Sequence, residues 1–138
     1  MVLPAHKAEK TLIQTYNEIP FNSVDEVILV DDNSPDATIA VAKSIGIRHI
    51  IQHETNFGYG GNQKTCYNKA LALNADIIML HPDYQYTPKL IPAMAYLVAH
   101  DVFPVVIGSR ILGKIAPKGG MPMYNYVANR FLTLGKTF

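Results

Sequence analysis

Apolar residues recur along the chain with two different spacings. Short apolar and β-branched runs, typical of buried parallel strands, alternate with longer segments in which apolar residues return every three or four positions, as on one face of a helix. The predicted strands are Val2–Leu3, Glu26–Val30, Arg48–Gln52, Asp76–Leu80 and Pro104–Ile107. A predicted helix follows each of them, at about 8–19, 35–45, 62–73, 87–98 and 124–134. This alternation predicts an α/β fold in which helices cover both faces of a mostly parallel sheet.

Residues at the helix ends and on the helix faces refine this prediction. The stretch Ser34-Pro35-Asp36 combines an N-cap, a proline at the first helical position and an acid near the positive end of the helix dipole. In the third helix Cys66, Ala70 and Leu73 share one face, so Cys66 is expected to be a small buried side chain. The fourth helix is expected to turn four residues towards the core, namely Leu90, Met94, Leu97 and Val98.

The composition fits one globular domain. The chain has 138 residues, of which 49% are hydrophobic and 17% charged, enough for a sizeable core. The net charge of +1 argues against nucleic-acid binding. No signal peptide opens the chain and no apolar run is long enough to span a bilayer, so a cytoplasmic protein is expected. The short first strand and the stop after an apolar helical pattern predict a single domain over 1–138 that is incomplete at its C-terminus.

The charge is unevenly distributed along the chain. No acidic residue follows Asp101, whereas five basic residues do, namely Arg110, Lys114, Lys118, Arg130 and Lys136. A basic segment of this kind suits phosphate groups or peripheral contact with the anionic cytoplasmic face of a membrane. A solvated surface is the alternative interpretation.

Two adjacent acids, Asp31 and Asp32, end the second predicted strand. In open α/β sheets ligands bind in the crevice at the carboxyl ends of the strands, so both acids are expected at a small-molecule site. Adjacent strand residues point to opposite sides. One acid could therefore accept a hydrogen bond from a nucleobase, while the other holds a loop through backbone N–H groups. The alternative is that both are turn and cap residues.

The stretch Asn56–Asn62 contains three glycines and precedes the third predicted helix. A glycine-rich loop before a helix could cradle a phosphate group at the positive end of the helix. The stretch matches neither the P-loop nor the dinucleotide-binding fingerprint, which argues against a Rossmann-type dinucleotide enzyme. Tight-turn geometry alone is the other explanation for the glycines.

Together, Val2-Leu3-Pro4-Ala5, the Asp31-Asp32 strand end and the stretch His81-Pro82-Asp83-Tyr84-Gln85 resemble the nucleotide-sugar-binding half of a family 2 glycosyltransferase of the GT-A type. The resemblance extends from Val2 to about Phe131, and Gln85 adds a similarity to polyprenyl- and dolichol-phosphate sugar transferases. It implies a three-layer α/β/α, Rossmann-like fold of the kind found in nucleotide-diphospho-sugar transferases.

The resemblance also implies a donor site. Asp31 is expected to contact the base, Pro4 and Ala5 to shape its pocket, and His6 to stack in place of the family's tyrosine. Ala8 replaces a carboxylate that the family often has, and Glu9 keeps an acid one position later. The expected donor-binding residues are Pro4, Ala5, His6, Glu9, Asp31, Asp32, Asn56, Gly58, Gly60, Lys64 and Arg110.

The same resemblance implies a divalent metal, Mn²⁺ or Mg²⁺, at the end of the fourth strand. Asp83 and Gln85 match the family's pattern, whereas His81 stands where the family has its first aspartate. An imidazole ligand would shift the preference from Mg²⁺ towards Mn²⁺, and the alternative is that His81 points away from the site. Arg110 follows Gly108-Ser109 and could grip two phosphate oxygens in a fork, so Asp83 and Arg110 are the expected catalytic residues.

The activity implied by the resemblance is that of an inverting, metal-dependent hexosyltransferase. The donor would be a UDP- or GDP-linked sugar and the acceptor a lipid phosphate or a glycan, as in cell-envelope or glycolipid biosynthesis. No acid can be assigned as the general base, so either the acceptor is an ionised phosphate or the base position lies beyond Phe138. The alternatives are a non-catalytic or fragmentary nucleotide-sugar-binding domain, a dinucleotide enzyme, and an interaction domain that uses only the basic last third.

Overall fold

The computed structural model describes residues 1–108. Its sheet has three parallel strands in the order β1-β2-β3, with Val2 opposite Ile28 and Ile28 opposite His49. Each strand has four residues: β1 (Val2–Ala5), β2 (Ile28–Asp31) and β3 (His49–Gln52). The first three predicted strands are therefore confirmed.

Helices connect and follow these strands. A 3₁₀ turn at Pro88–Leu90 leads into the last helix of the described part. The four helices are α1 (Leu12–Asn17), α2 (Thr38–Ser44), α3 (Gly58–Ala72) and α4 (Ile91–Ala99). The predicted helix at 124–134 lies outside the described residues. By its internal contacts the chain divides into two units, Met1–Pro104 and Val105–Phe138.

Strands β1 and β2 are buried on both faces, which explains why they form apolar runs rather than alternating patterns. On one face, Leu3 and Leu29 join a core cluster that contains Leu12 of α1 and Ala42 of α2. The opposite face carries a second cluster, formed by Val2, Ile28, Val30, Cys66 and Ala70. Helices α1 and α2 thus cover one face and α3 covers the other, so the predicted α/β/α layering is confirmed.

The predicted fourth strand, Asp76–Leu80, is reduced to a single parallel bridge between Val2 and Met79. The Val2 N–H donates to the Ile78 carbonyl at 2.8 Å, and the Leu80 N–H donates to the Val2 carbonyl at 3.1 Å. In this register the next rung would need the N–H groups of residues 4 and 82. Both are prolines, which have no N–H, so the ladder cannot continue.

Other boundaries also differ from the predictions. The segment Pro104–Ile107 forms no strand. The predicted glycine loop becomes helix from Gly58 onwards. Leu90 is 56% exposed because Ile91 takes the core position in α4, and Leu73 is 41% exposed because α3 ends before it.

Cys66 lies in α3 with no exposed surface, and burial raises the pKa of its thiol to about 12. We expect the native protein to react with iodoacetamide far more slowly than the unfolded chain, since the thiolate is the nucleophile and its population is roughly a thousandfold lower in the fold. Alkylation followed by mass spectrometry, in buffer and in denaturing urea, measures this. Equal rates in the two solvents would contradict the burial of Cys66.

Within residues 1–108 no helix is both long enough and apolar enough to cross a bilayer.

Candidate functional site

A cavity of about 300 Å³ opens at the carboxyl ends of β1 and β2. This is where ligands are expected in a parallel α/β sheet. Eight of the predicted site residues line it, namely Pro4, Ala5, His6, Asp32, Asn56, Gly58, His81 and Asp83. The cavity thus brings together residues that are up to 79 positions apart in the sequence.

Asp32 is the buried acid of this cavity, with 3% of its surface exposed. Its Oδ1 accepts hydrogen bonds from His53 Nδ1 and from the backbone N–H of Phe57, each at 2.8 Å. Burial alone would raise the pKa of Asp32, but these two hydrogen bonds, the electrostatic attraction of His53 and the nearby Gly58 N–H together lower it. The side chain is therefore an anion at neutral pH, and its charge lies at the cavity wall.

Asp31 points away from the cavity, as expected for the neighbour of Asp32 on a strand. It has no exposed surface, and Oδ2 accepts a hydrogen bond from the Ser34 N–H at 2.9 Å. Its Oδ1 accepts from the Ser34 hydroxyl. Both oxygens therefore hold the turn that leads to α2, and Asp31 does not line the cavity. Its predicted contact with the base stays a prediction.

His6 and Asn56 converge on the backbone of Asp32 at the mouth of the cavity. His6 Nδ1 lies 3.1 Å from the Asp32 carbonyl oxygen, and Asn56 Nδ2 donates to the same oxygen at 3.3 Å. The Asn56 Oδ1 accepts from the Gly58 N–H at 2.9 Å. Both side chains are exposed and can contact a ligand without leaving these partners.

Asn62 is a site residue to which the sequence pattern assigned no role. It is 3% exposed, and its Nδ2 donates to the carbonyls of Ala5 and Val30, each at 3.1 Å. Asn62 therefore ties α3 to the ends of β1 and β2 directly beneath the cavity that it lines. The spacing 62, 66, 70 places it on the buried face of α3, and that spacing could have identified it.

The predicted metal ligands are only partly assembled. His81 and Asp83 line the cavity, whereas Gln85 is exposed outside its lining. The His81 Nε2 lies 3.1 Å from the Tyr59 hydroxyl, and Asp83 Oδ1 accepts from the Gln85 N–H at 3.0 Å. Within residues 1–108 no group of three or more His, Cys, Asp and Glu residues is arranged so that it could hold a metal ion. A carboxylate and an imidazole still fit an ion that takes its other ligands from water and a diphosphate.

Besides Asp31 and Gln85, three predicted residues of the described part do not line this cavity, namely Glu9, Gly60 and Lys64. Glu9 Oε2 accepts from the Ala37 N–H at 3.2 Å, and Glu9 lines a separate, open depression with Lys7, Lys10 and Asp36. Gly60 and Lys64 are exposed on α3. Arg110 lies outside the described residues. Their predicted roles stay predictions.

Comparison with known proteins agrees with this picture. Residues 1–137 match the model of Glycosyl transferase family 2. The chain is 30% identical to a UDP-N-acetylglucosamine–dolichyl-phosphate N-acetylglucosaminyltransferase of Methanococcus voltae, with 94% of this chain and 58% of the relative aligned. It is also 30% identical to an uncharacterized protein of Methanocaldococcus jannaschii, with 94% and 53% aligned. The chain thus spans just over half the length of these relatives.

A solved structure supports the fold independently. The crystal structure of S. aureus TarS 1-349 superimposes with a TM-score of 0.55 at 20% sequence identity, covering 72% of this chain and 31% of that one. At this identity the likeness concerns the fold alone, and with the family match it confirms the predicted GT-A architecture. The chain therefore belongs to glycosyl transferase family 2.

Proposed function

We propose that the cavity at the ends of β1 and β2 binds a UDP- or GDP-linked sugar, and that the protein transfers this sugar with inversion to a lipid-phosphate or glycan acceptor. The observation that carries the proposal is that Asp32 and Asp83, from the second strand and the region after the fourth, line one cavity. The relative from Methanococcus voltae carries a UDP-sugar and dolichyl phosphate in its name, which favours a lipid-phosphate acceptor.

Each side of the cavity suits one part of the donor. Pro4 and Ala5 are buried and offer an apolar surface to the base, and the His6 ring at the rim can stack on it. Asp32 lines the same cavity, whereas Asp31 would have to exchange its bonds to Ser34 to reach a base.

The diphosphate would lie towards Asp83. Asp83, with His81 and Gln85, would hold a divalent ion, Mn²⁺ or Mg²⁺, which when bound supplies positive charge for the departing diphosphate. Arg110 is proposed as a second cationic contact to the phosphates. Asp83 and Arg110 are the residues that we propose to be catalytic.

The transfer itself is a displacement at the anomeric carbon. An acceptor oxygen forms the new bond from the face opposite the diphosphate, while the bond to the diphosphate oxygen breaks and the nucleoside diphosphate leaves. An acceptor phosphate is already ionised and needs no general base, whereas a hydroxyl acceptor would need one. A role in glycolipid or cell-envelope synthesis at the cytoplasmic membrane face follows from such an acceptor.

Calorimetric titration tests the proposal. The protein is titrated with UDP, GDP and their sugars, with and without Mn²⁺, and ATP and NAD serve as controls. Binding of one nucleotide pair, strengthened by Mn²⁺, is the expected result. A preference for NAD, or the absence of any nucleotide binding, would refute the donor site.

A second candidate function is nucleotide-sugar binding without transfer. It is favoured by two features. His81 stands where the family has its first aspartate, and few potential metal ligands surround Asp83 in the described part of the chain. The variant His81→Asp separates the two functions. If His81→Asp turns over the nucleotide sugar faster than the wild type does, transfer is the favoured function. If both proteins bind the nucleotide sugar without turning it over, binding alone is favoured.

For Arg110 we expect the variant Arg110→Ala to lose affinity for the nucleoside diphosphate by about tenfold or more while binding the free nucleoside as the wild type does. The reason is that a guanidinium contacts phosphate oxygens in pairs, and the nucleoside has none. Calorimetry with both ligands measures the difference, and Arg48→Ala, a change in an exposed arginine paired with Glu26, is the matched control. Equal losses for both ligands would remove the phosphate role.

A further inference from the structure

His53 is a buried histidine that follows β3 and to which the proposed chemistry gives no part. It is 7% exposed. Its Nδ1 lies 2.8 Å from Asp32 Oδ1, and its Nε2 lies 2.9 Å from the Thr65 hydroxyl on α3. The ring also packs against Phe57, with the ring centroids 4.6 Å apart. Every polar atom of the imidazole is therefore engaged.

The direction of the key hydrogen bond follows from the chemistry of its partners. A carboxylate can only accept, so His53 Nδ1 carries a proton and donates it to Asp32. The same oxygen of Asp32 also accepts the Phe57 N–H. Two donors on one oxygen fix the rotation of the carboxylate about its last torsion angle. A buried bond of this kind is charge-assisted and stronger than a neutral one.

The same contacts shape the mouth of the cavity. Phe57 and Asn56 lie at the junction of β3 and α3, and Asn56 bonds the Asp32 carbonyl at 3.3 Å. His53 thus braces both the acid of the cavity and the segment that begins α3, and it does so without lining the cavity itself. A side chain in this arrangement acts on a ligand only through its neighbours.

We propose that His53 is a positioning residue for the donor: by donating to Asp32 it holds the carboxylate and the start of α3 in the conformation that binds the nucleotide. The inference rests on the proposed function, because it assumes that the nucleotide occupies this cavity. It goes beyond that function by assigning a role to a residue outside the cavity. Losing the Asp32 contact should weaken nucleotide binding more than losing the Thr65 contact.

Two amide variants separate the two contacts. In His53→Asn the amide nitrogen can take the position of Nδ1 and keep the donor to Asp32, whereas in His53→Gln it takes the position of Nε2 and loses that donor. We expect His53→Gln to weaken UDP or GDP binding by roughly tenfold or more, the loss of one charge-assisted hydrogen bond. His53→Asn should stay within about threefold of the wild type, and so should Thr65→Val, which removes the hydroxyl that contacts Nε2 and also donates to the Gly61 carbonyl within α3.

Calorimetric affinities of the folded proteins, checked by circular dichroism, give the result. A merely structural histidine would lower the free energy of unfolding in both amide variants without separating their affinities. Equal affinities in the two variants would overturn the positioning role while the donor site stands. A wild type that binds neither nucleotide would overturn the proposed function, and this inference with it.

A measurement on the wild type covers the case in which His53→Gln does not fold. The imidazole N–H protons of ¹⁵N-labelled protein are followed by NMR during titration with UDP or GDP. The His53 Nδ1–H resonance, assigned through Thr65→Val, is expected to shift on binding because its acceptor contacts the ligand site. A resonance that does not move at saturating nucleotide would refute the positioning role.

Discussion

The variant Asp83→Asn is expected to lose most of the metal-dependent part of nucleoside-diphosphate binding. Asp83 is the carboxylate of the His81–Gln85 stretch and lines the cavity, and the amide that replaces it is neutral. Without that negative charge the ion would be held by the imidazole, water and the diphosphate. We expect a loss of roughly a hundredfold or more in the affinity measured with Mn²⁺, since removing a group that merely supports a metal ligand already costs about 10–100-fold. Calorimetry with and without Mn²⁺ measures this loss.

Asp76→Asn is the matched control, since it makes the same chemical change at an exposed acid at the other end of the same segment. It should bind the nucleotide as the wild type does under both conditions. If Asp83→Asn keeps the full enhancement by Mn²⁺, the ion is held elsewhere and the assignment of Asp83 is wrong. Affinity in the absence of metal should be nearly unchanged in both variants.

Asn62→Ala is expected to destabilise the fold. The side chain donates to the buried carbonyls of Ala5 and Val30, of which the Ala5 carbonyl also accepts the Asp32 N–H at 2.9 Å. Each of the two lost hydrogen bonds contributes about 0.5–1.5 kcal/mol, so we expect the free energy of unfolding to fall by about 1–3 kcal/mol. Equilibrium unfolding in urea measures the change.

Asn68→Ala controls for the loss of an asparagine from the same helix. Asn68 is exposed on α3, so its replacement should change the free energy of unfolding by less than about 0.5 kcal/mol. If the two variants unfold alike, water has replaced the side chain of Asn62 and the link between α3 and the strand ends is weak. A drop in nucleotide affinity in Asn62→Ala alone would add that this link also shapes the cavity.

Much of the fold could be predicted because the core pattern is strong. The short apolar runs of β1 and β2 and the apolar stripes of α1 to α3 match the periods expected for strands and helices that are buried against one sheet. The sequence pattern predicts a fourth and a fifth strand that the structure does not form as ladders, because β-propensity does not take account of which backbone N–H groups face a neighbouring strand. Val2 and Met79 do pair, but Pro4 and Pro82 stop the ladder one rung later.

The location of the site in the fold could be predicted more readily than the hydrogen bonds that its residues make. The rule that ligands meet the carboxyl ends of strands correctly gathered Pro4, Ala5 and Asp83. It could not decide between Asp31 and Asp32, because that choice depends on which of them the Ser34 turn captures. His53 was missed because its partners, Asp32 and Thr65, are distant in sequence and only the fold brings them together.

The two prolines that interrupt the sheet have a consequence for how a ligand enters. Both Pro4 and Pro82 line the cavity. They lie on the two segments that pair at Val2 and Met79, at the point where the next hydrogen bonds between those segments would form. Since neither proline has a backbone N–H, the two segments cannot form hydrogen bonds with each other at that point in any conformation. The opening of the cavity is thus fixed by the covalent structure of these two residues. Replacing both by alanine would supply the missing N–H groups and allow the strand ladder to extend across the opening.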